Sequence, residues 1–413
     1  MFDLVKGFSG VIDMVNTTLA SHHQRTAVVA DQICLRLSLP PEEHHRVVIS
    51  AMLHDVGVIP LHDRTDNLVF EKEMTRHSQA GYLMLRTCPV LYEEARVLLY
   101  HHTDWQMVRE LPEAERAVGV IGNLVHLADS VDVHSRLNPE LDYLRCIVKN
   151  GIGRSFEKTS AEAVLDFMDD PAFYDMLENS GQYLDDHPTP ELILKDEDVT
   201  VFSMLFSHVI DSRSPFTATH STGVAWIGRA LHQLAWLDDA DRSTMFVAGL
   251  LHDIGKIGVP NELIEKPGPL DNHEFKKVSH HAQLSLDVLG GIPGFEKVTP
   301  WGALHHEKLN GRGYPNGLTA ERIPTESRLM AVADVMTALT EDRPYRAGLD
   351  EDKTMSILSS MVEQGGLDGD LVQLVRDNYG EVNEIRRQAQ SEAAGFFRNL
   401  TDDIKLRCPD SRF

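Results

Sequence analysis

The sequence predicts an all-α protein built from two tandem copies of one helical domain. Three observations carry this. Apolar residues in stretches such as FVAGLLHDIG and ARVLLYHH recur as they do on a buried or half-buried helix, while alternating strand patterns are rare. Turn chemistry is dense only after each of two His-Asp pairs and in the stretch NGRGYPNGL. A fixed order of histidine and aspartate markers appears twice along the chain.

The first copy opens with His22 in HHQRTAVVADQICLRL. It continues with His54-Asp55 in AMLHDVGVIP, His77 in RHSQAGYLML, His101-His102 in LLYHHTDW and Asp129 in VHLADSVD. The second copy repeats the order with His220, His252-Asp253, His281, His305-His306 and Asp334. The offset is 198 residues for the first two markers (22 to 220, 54 to 252), 204 for the next two and 205 for the last. One six-residue insertion, between the His-Asp pair and the next histidine, explains nearly all the drift. The joint is expected in the polar, acidic, Pro-containing stretch near 180–200. The expected division is a first domain at 1–185, a linker at 186–200 and a second domain at 201–413, with an exposed polar helix and a loose tail from about 380.

Length and composition fit this plan. At 413 residues each half can bury its own core, and 42% hydrophobic with 25% charged residues is ordinary for a globular chain. The net charge of −24 argues against a nucleic-acid polymer as partner, since that needs clustered cations. A small phosphate ligand is still compatible, because a few local cations reverse the field inside one pocket. Four scattered cysteines, Cys34, Cys88, Cys146 and Cys408, indicate neither disulfides nor a thiolate site, so reduced thiols and a cytoplasmic setting are expected. The N-terminal stretch does not read as a signal peptide, and no apolar run reaches membrane-span length.

The repeated markers supply at least four imidazoles and two carboxylates per copy, a donor set for borderline first-row cations. A His and an Asp adjacent on a helix point about 100° apart, so both can reach a two-ion cluster that the carboxylate bridges. Paired cations make hydroxide available near neutral pH and neutralise a phosphoryl oxygen, which suits a phosphodiester. A single His-Asp or His-His dipeptide is more often structural. Five markers in matched order, twice, favour metal.

The second half resembles the HD-GYP family of cyclic di-GMP phosphodiesterases, a branch of the HD phosphohydrolases. The resemblance runs over about 205–375, through LLHDIGKIGVP, KPGPL, ALHHEKLNGRGYPNGL and ERIPTESRLMAVADVMTALTEDRPYR. The first half is similar to a plainer HD domain without the GYP stretch. The resemblance implies that His220, His252, Asp253, His281, His305, His306 and Asp334 bind two divalent transition-metal ions, iron or manganese before zinc or nickel, with Asp253 bridging. It implies that Lys256 reaches a phosphate oxygen, and that Gly311, Gly313, Tyr314 and Pro315 form the loop beside the ligand. Arg343 and Arg346 would grip the second phosphate. The implied reaction is attack of hydroxide on a cyclic dinucleotide, cyclic di-GMP or 3′,3′-cyclic GMP-AMP, to a linear dinucleotide or mononucleotides. Rival readings are a non-catalytic cyclic-dinucleotide receptor and a phosphohydrolase of another nucleotide. A homodimer or a signalling protein is the further partner to consider.

Four positions depart from the family pattern: Phe216 where some members place a third-metal Glu, Gly223 for Arg, and Asn310 and Thr337 for Asp. None removes a predicted ligand. In the first copy His22, His54, Asp55, His77, His101, His102 and Asp129 form a possible second metal site. Val58 stands near the place of the lysine, and HHTDWQ replaces the GYP loop. A regulatory or sensing role is therefore expected of that copy, with a second phosphatase activity or a purely structural role as the alternatives.

Overall fold

The computed structural model describes residues 1–14, 20–61, 71–189, 193–211, 219–266, 268–342 and 347–407. Among the described residues there are helices, turns and two isolated bridges but no strand, in line with an all-α chain. No helix among them is long and apolar enough to cross a membrane. Cys34, Cys88 and Cys146 are free thiols, the first two buried.

The chain forms two compact units, Met1–Leu194 with the segment from Leu400, and Lys195–Asn399. The cut falls within the expected linker, but the segment from Leu400 groups with the first unit and not the second. Ile404 packs on Ala80 and Leu83, and Asp403 pairs with Arg86 at 2.8 Å. The last helix, Tyr379–Arg407, is also less exposed than its polar sequence suggests, because Val382, Arg386, Ala389, Gln390 and Ala393 form a buried face.

In the first unit the His22–Leu37 helix lies against Pro41–Leu53 and Glu113–Leu137. Pro41 at the first helical position, followed by Glu42 and Glu43, starts its helix where a missing N–H costs nothing and acidic groups face the helix dipole. In the second unit His220–Leu234 packs on Arg242–Leu251 and Thr325–Thr340. The first crossing is close because Gly249 has no side chain: a Cβ there would stand within 3.0 Å of the Ala225 backbone. The Asn272–Gly290 helix starts at a capping box, with Asp271 accepting from the Glu274 amide (2.9 Å) and Glu274 accepting from the Asp271 amide (2.8 Å). That helix then rests on the short 3-10 turn Ile254–Gly258.

One device sets both contacts of this last kind. A Cβ on Gly255 would stand within 3.0 Å of the His281 carbonyl oxygen and the Ser285 amide nitrogen. A Cβ on Gly57 would do the same to His77 and Gly81. The glycine two places after each His-Asp pair thus lets the next marker helix approach the pair itself.

Candidate metal centres

The His-Asp pairs do not lie within helices as expected. His252 closes the Arg242–Leu251 helix as its C-terminal cap, and Asp253 opens the 3-10 turn; His54 and Asp55 stand at the matching places. His305-His306 likewise follow the end of the Val298–Ala303 helix. A helix end leaves carbonyls without intrahelical partners. His252 Nδ1 donates to the Gly249 carbonyl (2.8 Å) and His305 Nδ1 to that of Gly302 (2.6 Å), while within its helix His281 Nδ1 donates to Val278 (2.6 Å). Each bond fixes the tautomer and leaves the Nε2 lone pair facing inward.

These lone pairs meet carboxylate oxygens in two groups. Asp253, His281, His305 and His306 offer ligand atoms within 4.8 Å of one another, and so do His220, His252 and Asp334. Asp253 faces both: its Oδ2 is 3.0 Å from His252 Nε2, and its Oδ1 is 3.2 Å from His281 Nε2 and 3.8 Å from His305 Nε2. His220 Nε2 lies 3.1 Å from Asp334 Oδ1. Every predicted ligand of the second copy is therefore brought together. The Nε2 atoms of His252, His281 and His305 and Oδ1 of Asp253 are buried with no hydrogen-bond partner, so the donors fit first-row cations, which use such lone pairs.

The electrostatics separate the donors. Burial pushes the Asp253 carboxyl up, but His252 and Lys256 outweigh it and hold the group well below the usual range. Burial, reinforced by His252, drives the His305 imidazole down to about 3, so the ring is neutral. Burial opposes charge on His220 as well, yet Glu341 and Asp334 raise it to about 10.

Lys256 points into the cluster, its ammonium on Asp253 Oδ2. It sits on the 3-10 turn, one shorter turn away than an α-helix would place it. Beside it, the Tyr314 ring lies 4.7 Å from that of His306, with Phe275 edge-on at 5.9 Å. Gly313 is obligatory, since a Cβ would strike the backbone of Glu307 and Lys308, and Gly311 takes φ +74°. Pro315 lines the neighbouring cleft. Arg343, Arg346 and Phe216 lie outside the described residues.

Two stretches match the model of the HD domain, residues 204–371 and 19–133. A 3′3′-cGAMP-specific phosphodiesterase of Vibrio cholerae is 30% identical over 89% of both chains. The chain belongs to the HD-GYP family of cyclic-dinucleotide phosphodiesterases. A cyclic di-GMP phosphodiesterase of Pseudomonas aeruginosa is 40% identical over 32% of each chain. The crystal structure of a V. cholerae cyclic GMP-AMP-specific phosphodiesterase shares the fold, with a TM-score of 0.66 at 22% identity, over 92% of this chain and 97% of the other.

The plain HD copy repeats the HD-GYP arrangement. His54 Nδ1 donates to Ala51 (2.8 Å) and His101 Nδ1 to Leu98 (2.7 Å). Asp55 Oδ2 is 3.3 Å from His54 Nε2, and its Oδ1 is 3.1 Å from His77 Nε2. Nε2 of His77 is 2.9 Å from that of His102, and Nε2 of His22 is 3.2 Å from that of His54. His22 Nε2 stands 3.4 Å from Asp129 Oδ1. Nitrogen pairs about 3 Å apart are what ligands on one ion adopt when each bond is about 2.1 Å.

Several residues escaped the sequence reading. Asp13 and Asp211, also 198 apart, accept from the backbone amides of His23 and Ser221 at 3.2 Å and so hold the start of each first marker helix. Glu307 organises the GYP loop, accepting from the Asn316 and Leu318 amides at 2.7 and 2.8 Å; the HHE run was its only signal. The departures also acquire a reason. In the plain HD copy Asp132 accepts from His22 Nδ1 (2.7 Å) and is held by Arg25 and Arg136. The matching places in the HD-GYP copy are Thr337, Gly223 and Glu341. There Glu341, not a free surface acid, lies 3.2 Å from His220 Nδ1, and Gln390 Nε2 donates to it at 3.3 Å. Asn310 spends its Nδ2 on the Gln364 carbonyl (2.8 Å), which an Asp could not do.

Two outcomes follow. Glu341→Gln keeps the shape but weakens the hold on His220, so metal affinity should fall about 10–100-fold, measured by competition with a chromogenic chelator. Glu307→Ala frees two loop amides and should raise KM by about 10-fold or more with the fold intact, measured by initial rates and circular dichroism.

Proposed function

We propose that the second unit hydrolyses 3′,3′-cyclic GMP-AMP to a linear dinucleotide on two divalent ions, iron or manganese, held by His220, His252, Asp253, His281, His305, His306 and Asp334. The observation that carries this is the single Asp253 carboxylate directing one oxygen to each ligand group. Likeness over 89% of both chains to an enzyme specific for 3′3′-cGAMP supports the choice of substrate. Two cations bound there would supply a hydroxide near neutral pH and neutralise phosphoryl charge.

The chain's own groups do the rest. Lys256, already aimed at the cluster, offsets charge on the reacting phosphate. Tyr314 offers a ring face to a base. A cleft of about 780 Å³ beside Tyr314 and Pro315 has room for a dinucleotide and carries Lys276, Lys277, His273 and His280 on one wall. Arg343 and Arg346 are the proposed grip on the second phosphate. The first unit, through His22, His54, Asp55, His77, His101, His102 and Asp129, holds a second metal cluster without the lysine or the loop.

The test is chromatography of products after metal-loaded protein meets cyclic GMP-AMP and, separately, cyclic di-GMP. A linear dinucleotide, formed faster from cyclic GMP-AMP and not formed by a His252→Ala, Asp253→Ala double variant, is expected. Tight binding with both substrates left intact would show a receptor. A Lys276→Ala, Lys277→Ala variant should raise KM about 3–10-fold at low salt, with the effect shrinking as salt screens the exposed charges.

A further inference from the structure

We propose that the first unit binds an additional ion in a pocket of His102, His126 and Asp129, which the second unit lacks. This rests on the reading that the first unit holds metal. One ligand atom from each of the three residues lies within 4.8 Å of the others. His126 and Asp129 are three residues apart on the Glu113–Leu137 helix, hence on one face. Nδ1 of His126 and Nδ1 of His102 are both buried with no hydrogen-bond partner; because Nε2 of His102 faces the first cluster, its ring would join the two ions as an imidazolate, releasing its ring proton to solvent. On its far side His126 Nε2 lies 4.0 Å from Asp104 Oδ1, beyond hydrogen-bond reach, so a carboxylate stands behind the ring without accepting from it. Phe156, 5.5 Å from the ring, wedges it in place.

The comparison between units isolates this pocket. Asp129 matches Asp334, and the same offset carries His126 onto Ala331, which has no donor. Conversely, Val58 matches Lys256. The second unit places a fixed ammonium at the edge of its cluster, and the first unit has an extra donor histidine instead. An added cation gives the first cluster the positive charge it lacks without the lysine. Asp129, already 3.4 Å from His22 Nε2 through one oxygen, has a second to offer. Two imidazoles and a carboxylate suit manganese, iron or zinc and leave positions open for an anionic oxygen.

The test counts manganese in the full chain after anaerobic loading and desalting, by plasma mass spectrometry, in the wild type, His126→Ala and His54→Ala. The expected result is one ion fewer in His126→Ala and a larger loss in His54→Ala. Loss in His54→Ala alone would overturn the extra ion and leave the first-unit cluster standing. Unchanged counts in both would remove the first-unit cluster and this proposal with it. If His126→Ala fails to fold, His126→Phe, which keeps a ring and removes both nitrogen donors, decides: one manganese ion fewer is expected, and an unchanged count would overturn the proposal.

Discussion

Asp253→Asn should cut turnover of the cyclic dinucleotide by about 10³-fold or more and lower the metal content of the second unit. The carboxylate faces both ligand sets, with His252 on one oxygen and His281 and His305 on the other. Asparagine keeps the volume and removes the charge. Its amide would present two N–H donors to imidazoles whose inward nitrogens, fixed by bonds to Gly249, Val278 and Gly302, are themselves lone pairs awaiting a positive centre. One ligand set would then lose its anion outright. Lys256 would also lose its partner. The measurement is kcat by product chromatography together with metal content. A rate within tenfold of wild type would show that the bridge is dispensable.

Gly255→Ala should do comparable damage without touching a single ligand. The added methyl would meet backbone, the His281 carbonyl and the Ser285 amide, which cannot move aside as a flexible side chain does. The Asn272–Gly290 helix must retreat or the 3-10 turn must open. Either change parts His281 from Asp253. A destabilisation of about 3 kcal/mol is expected, or roughly 6–12 °C in Tm for a unit of this size, along with loss of metal. Gly395→Ala is the control: no atom lies within 4 Å of its added carbon, and in a helix alanine should be neutral or stabilising by up to about 1 kcal/mol. An unchanged Tm in Gly255→Ala would mean that the close approach is not a constraint.

Much of this was legible in the sequence because residue type and order carried it. The helical class followed from apolar spacing, and the ligand sets followed from histidines and aspartates that recur at near-constant offset. What was not legible depends on contacts made far along the chain. The His-Asp pair reads as mid-helix, yet the helix stops at Leu251, where the glycine-dependent approach of a helix starting at Asn272 meets the 3-10 turn. Thr337 reads as a lost acid. Its replacement, Glu341, is four residues on, and the amide that steadies Glu341 comes from Gln390. Gln390 also donates to the Thr219 carbonyl, 171 residues away, so the polar last helix carried a role that composition alone did not disclose.

The bonds from imidazole Nδ1 to helix-end carbonyls have a practical consequence. A ring pinned to Gly249 or Gly302 has given up its rotational freedom during folding, so that entropic cost is not levied again when an ion arrives. Such a socket should keep its shape through stripping by chelator. One purified batch could then be charged in turn with iron, manganese, nickel or zinc, and the rates compared, so that differences reflect the element supplied and not a rebuilt protein.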